Sequence, residues 1–359
     1  MSEQIKVTID NITVAVAPGT TILQAARQIG GEVTPPAMCY YSKLEGSGGK
    51  CRTCLVEVSK GSEKDPRPMP KLVASCRTPV SDGMEVKNIT SPKVLDARAG
   101  IVEMLLINHP LDCPVCDQAG ECHLQDLSYE HGASGTRYDY DRRTFEKEDI
   151  GPYIQLHMNR CILCYRCVYT ADQLTGKREH GVLDRGDHAA ISTCIGKALE
   201  NDFIGNVIDV CPVGALTDKT FRFKNRVWFT KPVDAHRDCP TCSGKTRLWM
   251  RGDEVYRVTA RKDKWGEVEE WICNTCRFDK KQASDWTIEG PSKIDRHSVI
   301  AQGHYEGVLK PQNFLPEVIG RNPKLLMNIH DVSGVNKNEI ELSKLSGPAH
   351  SSDFDKNNY

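Results

Sequence analysis

The chain has 359 residues, in which 47 Lys and Arg residues balance 48 Asp and Glu residues. Without a basic excess it lacks the charge signature of nucleic-acid binding, so we expect no nucleic-acid partner. The best apolar run, residues 101–107, is interrupted by Glu103 and is far shorter than the roughly 20 residues of a membrane-spanning helix. The first residues show neither the apolar core of a signal peptide nor an Arg-rich transit sequence. These features predict a soluble, intracellular protein that reaches a membrane only by docking on a partner.

Sixteen cysteines stand out in the composition. Reducing compartments disfavour structural disulfides, so clustered cysteines there indicate metal binding or redox chemistry. Fifteen of the sixteen fall into four groups along the chain, whereas Cys194 stands alone. We expect Cys194 to be a buried free thiol and the four groups to bind metal.

The first 90 residues predict a small fold of strands around one helix. Apolar and polar residues alternate over 5–9 and 12–16, which indicates a β-hairpin, and the pattern of residues 22–29 indicates a helix. Strand-like segments follow at 55–58 and 84–86. This order resembles the β-grasp fold of plant-type ferredoxins.

The first cysteine group lies in this region and comprises Cys39, Cys51, Cys54 and Cys76. Four thiolates suit a [2Fe–2S] cluster, in which each iron takes two of them. The glycines before Cys51 allow backbone amides to approach and hydrogen-bond the cluster. The alternative is a structural zinc site, which the ferredoxin-like surroundings disfavour.

The second group follows a predicted amphipathic helix that begins at Ser91 and ends at His109. Its cysteines are Cys113, Cys116 and Cys122, one thiolate short of the set that a [4Fe–4S] cubane needs. We therefore predict that a neutral ring nitrogen of His109 supplies the fourth ligand. Imidazole in place of thiolate removes negative charge, which should raise the potential of the cluster, as in Rieske centres.

The third group has the C-x2-C-x2-C spacing of a cubane and comprises Cys161, Cys164 and Cys167. Ala171 stands where two-cluster bacterial ferredoxins have a fourth cysteine. Further along, Cys211 precedes a proline, like the end of a second ferredoxin repeat that has lost its other cysteines. We predict that Cys211 completes a [4Fe–4S] site with the first three.

The fourth group consists of two C-x2-C pairs, Cys239 with Cys242 and Cys273 with Cys276, separated by 30 residues. Paired C-x2-C motifs suit a tetrahedral zinc ion, and four thiolates equally suit a [4Fe–4S] cluster. The ligand chemistry leaves both open, and we prefer the cluster by a narrow margin.

The three cluster motifs in this order resemble the NuoG family of NADH-quinone oxidoreductase, the large iron–sulfur subunit of respiratory complex I. The resemblance covers roughly residues 1–290 and is carried by residues 109–118, 120–122, 160–164 and 206–212. It implies an electron relay within a proton-translocating complex that lies on the cytoplasmic face of a bacterial inner membrane. The implied partners are an NADH- and FMN-binding flavoprotein subunit, a two-cluster ferredoxin-like subunit and the quinone-module subunits. The chain itself would bind neither NADH, FMN nor quinone.

The sequence departs from the family in two places. Long members continue into a molybdopterin-enzyme-like domain, so we expect this chain to be a short form without it. Bacterial relatives with an additional cluster have C-x2-C-x3-C and a distant fourth cysteine. Here Thr246 stands at the third position and Cys276 appears instead. This departure puts the metal of the fourth group in doubt.

The expected fold class is α+β with five segments. These are a β-grasp [2Fe–2S] domain (1–90), a helical domain with one histidine and three cysteine ligands (91–150), a degenerate bacterial-ferredoxin-like domain (151–230), a small β-rich lobe with four cysteines (231–290) and an extended or disordered polar tail (291–359).

Two other functions compete with the complex I subunit. The diaphorase-side iron–sulfur subunit of an NAD-linked hydrogenase or formate dehydrogenase would share the first three cluster domains, but the fourth group favours complex I. A zinc-organised scaffold is a non-redox alternative. The C-x2-C-x2-C spacing argues against it, because three closely spaced thiolates suit a cubane better than a zinc knuckle.

Overall fold

A computed structural model describes residues 4–139, 141–146, 148–176, 179–193 and 196–289 of the chain. The predicted tail, residues 291–359, and the lone Cys194 lie outside the described residues. Within Met1–Gly290, which packs as one unit, helices and strands are mixed, as the sequence predicts. Among the described residues no helix combines the length and apolar character needed to cross a membrane.

A mixed five-stranded sheet forms the first part of the chain. Its strands follow the order β2-β1-β5-β3-β4, in which β1 and β5 are parallel and the other neighbours antiparallel. Helix α1 (Ile22–Ile29) buries Ile22, Ala25 and Ala26 against the sheet. The strands are β1 (Ile5–Ile9), β2 (Ile12–Val16), β3 (Leu55–Lys60), β4 (Val73–Ala74) and β5 (Met84–Lys87). The hairpin β1–β2 and the helix thus form where the hydrophobic pattern predicts them.

Two helices follow, α2 (Pro92–Leu106) and α3 (His123–His131). The Ser91 hydroxyl caps α2 by accepting the N–H of Val94 at 3.4 Å, and α2 ends before His109, earlier than the sequence predicts. Buried Arg98 of α2 donates hydrogen bonds to the Asn88 side chain and to the Thr53 carbonyl. Because Thr53 lies in the first cysteine loop, this arginine anchors α2 beside the first ligand set.

The next part contains two strand–helix–strand halves. The outer strands β6 and β9 pair antiparallel, as do the inner strands β7 and β8, and α4 packs on α5. The elements are β6 (Ile154–Leu156), α4 (Arg166–Thr175), β7 (His180–Leu183), β8 (Ala190–Thr193), α5 (Asn206–Val210) and β9 (Leu216–Asp218). This symmetry between the halves is the arrangement that a degenerate two-repeat ferredoxin pattern implies.

A four-stranded antiparallel sheet closes the described chain, in the order β12-β11-β10-β13. Its core includes Ala235, Leu248, Val258 and Trp286. The strands are β10 (Lys231–His236), β11 (Thr246–Arg251), β12 (Glu254–Thr259) and β13 (Thr287–Ile288). A short π-helix, Thr275–Asp279, lies between β12 and β13 and carries one of the cysteines of the fourth group.

This last lobe is held to the ferredoxin-like part by a buried ion pair. Arg277 donates to the Asp209 carboxylate, which also accepts the N–H of Ala260 at 3.2 Å. Burial alone would raise the pKa of Asp209, but the attraction of Arg277 and Lys262 outweighs it and lowers that pKa. Both partners are almost fully buried, so each depends on the other for its charge.

Replacing Asp209 by Asn should leave the Arg277 guanidinium uncompensated in the interior. We expect the D209N change to lower the free energy of unfolding by about 3–5 kcal/mol, the usual cost of breaking a buried pair. Denaturant unfolding of the cluster-loaded chain, followed by circular dichroism, measures this. The matched control is Asp65→Asn, which breaks the exposed Asp65–Arg67 pair and should leave stability unchanged. Equal stability of the two variants would contradict the assigned role.

Candidate metal centres

The first set lies between α1 and β5, with Cys39, Cys51 and Cys54 in the loop before β3 and Cys76 after β4. All four side chains are buried. They form two pairs, since the Cys54 and Cys76 Sγ atoms are 3.4 Å apart and the Cys39 and Cys51 thiols hydrogen-bond each other. Two thiolates on one tetrahedral ion lie roughly 3.8 Å apart when metal–sulfur bonds are about 2.3 Å. Two thiolates per iron is the arrangement that a [2Fe–2S] cluster requires.

Backbone amides converge on these sulfurs. Gly49 donates to Cys76 Sγ at 3.2 Å, and Lys50 and Cys51 both donate to Cys39 Sγ at 3.3 Å. Gly48 has a φ of 96°, and a Cβ there would lie 3.2 Å from Cys76 Sγ, so glycine keeps this approach open. The donated hydrogen bonds favour thiolate sulfur, the form that binds iron. The hydrogen bond with Cys39 lowers the pKa of Cys51 to about 5, so this pair holds a thiolate at neutral pH.

The second set surrounds the turn after α2. Cys113 lies in a short 3₁₀ turn and is exposed, whereas Cys116 and Cys122 are buried. The thiols of Cys113 and Cys116 act electrostatically on Cys122. Burial, together with the nearby Arg160, lowers the pKa of His109 to about 4, so its imidazole is neutral. A neutral imidazole is the form that ligates metal.

Two arginines that are not themselves ligands organise this set. Arg226 donates to the carbonyls of Cys113, Pro114 and Cys116 at 2.8–3.0 Å, which fixes the turn. Arg160 donates to the Asp112 carboxylate at 2.8 and 3.0 Å and also acts on Cys116. Arg160 directly precedes the third motif and was within reach of sequence reasoning, whereas nothing in the sequence marks Arg226.

The third set brings together residues that are far apart in the chain. Cys161, Cys164 and Cys167 lie around the start of α4, and Cys211 directly follows α5. All four line one apolar cavity. Burial raises the pKa of each thiol, and each acts electrostatically on others of the set. The packing of α4 on α5 therefore places Cys211 with the C-x2-C-x2-C loop.

The third set also neighbours the other two. Cys51 of the first set acts electrostatically on Cys164, and Cys122 of the second acts on Cys211. Direct contacts accompany both interactions. Arg166 of α4 donates to the Tyr40 carbonyl in the first cysteine loop at 2.7 Å. The residue that follows Cys122, His123, donates its N–H to the Pro212 carbonyl at 3.2 Å.

The fourth set brings its two pairs together. The ligand atoms of Cys239, Cys242, Cys273 and Cys276 all lie within 4.8 Å of one another. Three Sγ separations are 3.8 Å (Cys239 to Cys273), 3.7 Å (Cys242 to Cys273) and 3.7 Å (Cys242 to Cys276). The charged groups that act most strongly on these thiols are the other members of the set and Arg237.

Comparison with known proteins assigns three regions to iron–sulfur domains. Residues 2–91 match a 2Fe-2S iron-sulfur cluster binding domain. Residues 98–137 match the NADH-ubiquinone oxidoreductase-G iron-sulfur binding region, and residues 151–217 match the ferredoxin-like domain of NADH-quinone oxidoreductase subunit 3. The predicted presence of [2Fe–2S] and [4Fe–4S] ferredoxin-like domains is thereby confirmed.

Curated relatives carry names from the same enzyme. The NuoG-type subunit of NADH-quinone oxidoreductase from Rickettsia felis is 41% identical over 275 residues, which cover 76% of this chain and 39% of the relative. The NADH-ubiquinone oxidoreductase 75 kDa subunit of Reclinomonas americana is 42% identical over 341 residues, covering 95% of this chain and 46% of the relative. The chain thus spans less than half the length of these relatives.

A solved structure also resembles this chain. It is described as a crystal structure of NAD⁺-reducing [NiFe]-hydrogenase in the H2-reduced state, with a TM-score of 0.54 and 29% identity. The match covers 62% of this chain and 91% of that one. The hydrogenase therefore shares part of the architecture, whereas sequence identity is higher to the respiratory relatives. With its iron–sulfur regions matched in order, the chain belongs to the NuoG family of NADH-quinone oxidoreductase subunits.

Proposed function

We propose that this chain relays electrons through three iron–sulfur clusters as a subunit of NADH:quinone oxidoreductase. A [2Fe–2S] cluster is held by Cys39, Cys51, Cys54 and Cys76. One [4Fe–4S] cluster is held by His109, Cys113, Cys116 and Cys122, and another by Cys161, Cys164, Cys167 and Cys211. We assign these sites to segments 1–90, 91–150 and 151–230, followed by a four-cysteine lobe at 231–290.

The observation that carries the proposal is the spatial order of the three sets. The third set interacts with the first through Cys51 and Cys164 and with the second through Cys122 and Cys211. The third set therefore lies between the other two, although it comes last in the sequence. Three redox centres with a common middle member form a path for electrons, whereas a catalytic site would gather its groups around one pocket.

The partners follow from the family. We propose that electrons enter from an NADH-oxidising flavoprotein subunit with FMN and leave toward a two-cluster ferredoxin-like subunit and the quinone module. The chain would then lie at the cytoplasmic face of the inner membrane as a peripheral part of the complex. The diaphorase side of an NAD-linked hydrogenase is the second candidate. It is supported by the solved hydrogenase chain, 91% of whose length matches this one.

The chain's own residues prepare the sites for this role. When bound, each cluster accepts and releases an electron. The amides of Gly49, Lys50 and Cys51 stabilise negative sulfur in the first set. Arg160 places a positive charge beside the second set, and apolar side chains line the cavity of the third. Low polarity around the third set keeps water away from the middle of the path.

The proposal is tested by isolating the assembly that contains the chain. An affinity tag on the chain in its source organism should recover, from mildly solubilised membranes, an assembly that reduces quinone with NADH. Membrane-embedded and flavoprotein subunits should be identified in it by mass spectrometry. Recovery of an assembly that instead couples hydrogen or formate oxidation to NAD⁺ reduction would establish the alternative.

His109 is tested by changing its charge and its ability to ligate. His109→Cys adds a thiolate to the second set, so the potential of that cluster should fall by on the order of 100 mV. His109→Ala removes the ligand, and the signal of that cluster should disappear. EPR-monitored redox titration measures both. His131→Ala, a control at the end of α3, should change neither, and unchanged spectra in both His109 variants would exclude ligation.

Gly214 provides an independent test of the Cys116 assignment. A Cβ on Gly214 would lie 2.1 Å from Cys116 Sγ, a separation that forces one of them to move. Gly214→Ala should therefore abolish or shift the EPR signal of the second cluster and cost the chain up to about four irons. Gly135→Ala serves as the control, because nothing lies within 4 Å of a Cβ at that position. A normal second-cluster signal in the Gly214 variant would separate Cys116 from iron.

A further inference from the structure

The four cysteines of the last lobe differ in spacing from those of the proposed cubane sites. All four of their sulfurs lie within 4.8 Å of one another. Elsewhere in the described ranges, no three ligand atoms of Cys, His, Asp or Glu are grouped this closely. The third set, whose four cysteines line one cavity, is therefore more widely spaced than the fourth, although both consist of four thiols.

The separations within the fourth set match one tetrahedral ion. Metal–sulfur bonds of about 2.3 Å place the sulfurs of a tetrahedron roughly 3.8 Å apart. The observed distances of 3.7–3.8 Å agree with this value. In a cubane each thiolate binds a different iron, which spreads the sulfurs to roughly 6 Å. A disulfide, with sulfurs about 2.05 Å apart, does not fit either.

We propose that Cys239, Cys242, Cys273 and Cys276 hold a single Zn²⁺ ion in place of a fourth iron–sulfur cluster. Four thiolates in a closed tetrahedron are typical of structural zinc sites. Between zinc and a single ferrous ion, the general order of divalent-metal affinity favours zinc. Because Zn²⁺ has no redox chemistry, the site takes no part in electron transfer. This inference does not depend on the function proposed for the other three sets.

The contacts around the ligands indicate what the ion does. It joins the loop after β10, with Cys239 and Cys242, to the segment that enters the π-helix. Between Cys273 and Cys276, Asn274 donates its N–H to the Asp202 carbonyl at 2.6 Å. Its side-chain oxygen accepts the N–H of Gly205 at 3.0 Å.

The same segment continues into the interface with the ferredoxin-like part. Arg277, next to the last ligand, forms the buried pair with Asp209. The following Phe278 stacks on Tyr153 with ring centroids 4.4 Å apart. An ion bound by Cys273 and Cys276 therefore fixes the residues that attach the lobe to the domain of the middle cluster.

Metal analysis of the full, anaerobically purified chain tests the proposal. We expect one zinc per chain besides about ten irons, and zinc X-ray absorption should show four sulfur neighbours at about 2.3 Å. This measurement requires no variant. About 14 irons without zinc, one iron bound by these four cysteines, or zinc with nitrogen and oxygen neighbours would each overturn the assignment.

A pair of variants separates the two kinds of site. Cys273→Ser should lose the zinc, keep about ten irons and lower the midpoint of thermal unfolding. Cys113→Ser should show the opposite pattern, with iron lost from the second set and the zinc retained. Zinc that remains fully bound in the Cys273 variant, or iron lost from that variant in units of four, would contradict the proposal.

Discussion

The packing of α4 on α5 is the constraint on which the rest of the structure depends. It places Cys211 beside the C-x2-C-x2-C loop, and the elements on either side form contacts with every other part of the described chain. Arg166 binds the first cysteine loop, Pro212 accepts a hydrogen bond from the residue after Cys122, and Asp209 pairs with Arg277 of the last lobe. The buried charge of Asp209 is tolerable because Arg277 is always present beside it. Contacts of this segment thus determine how the ligand sets face one another.

Much of the local structure could be predicted because its signals lie close together in the sequence. Alternating residues specify the β1–β2 hairpin, Ser91 and Pro92 specify the start of α2, and cysteine spacing separates the four groups. The end of α2 was less predictable, since apolar residues continue beyond Leu106 while the helix does not. The sequence also indicated that Cys211 belongs with the third group, because its proline and the missing cysteines of the second repeat leave it no other set.

Long-range features were beyond sequence reasoning for a physical reason. Nothing local to Arg226 announces that its guanidinium binds three carbonyls of a turn more than a hundred residues away. The order of the three sets in space likewise depends on how whole elements pack. The metal of the fourth site depends on sulfur separations, and a C-x2-C pair has the same spacing in the sequence whether its thiolates bind one ion or several. Only the three-dimensional arrangement distinguishes these cases.

The middle position of the third set has a consequence for biosynthesis. In the growing chain the ligands of the two outer sets are complete by Cys122, but the middle set waits for Cys211. The 44 residues from Cys167 to Cys211 take roughly 2–9 s to synthesise at 5–20 residues per second. During that interval the two outer sites exist without the one that connects them. A nascent chain released early would therefore hold two isolated redox centres with a gap between them. Its continuity as a conductor would be decided by a few residues made near the end of the third domain.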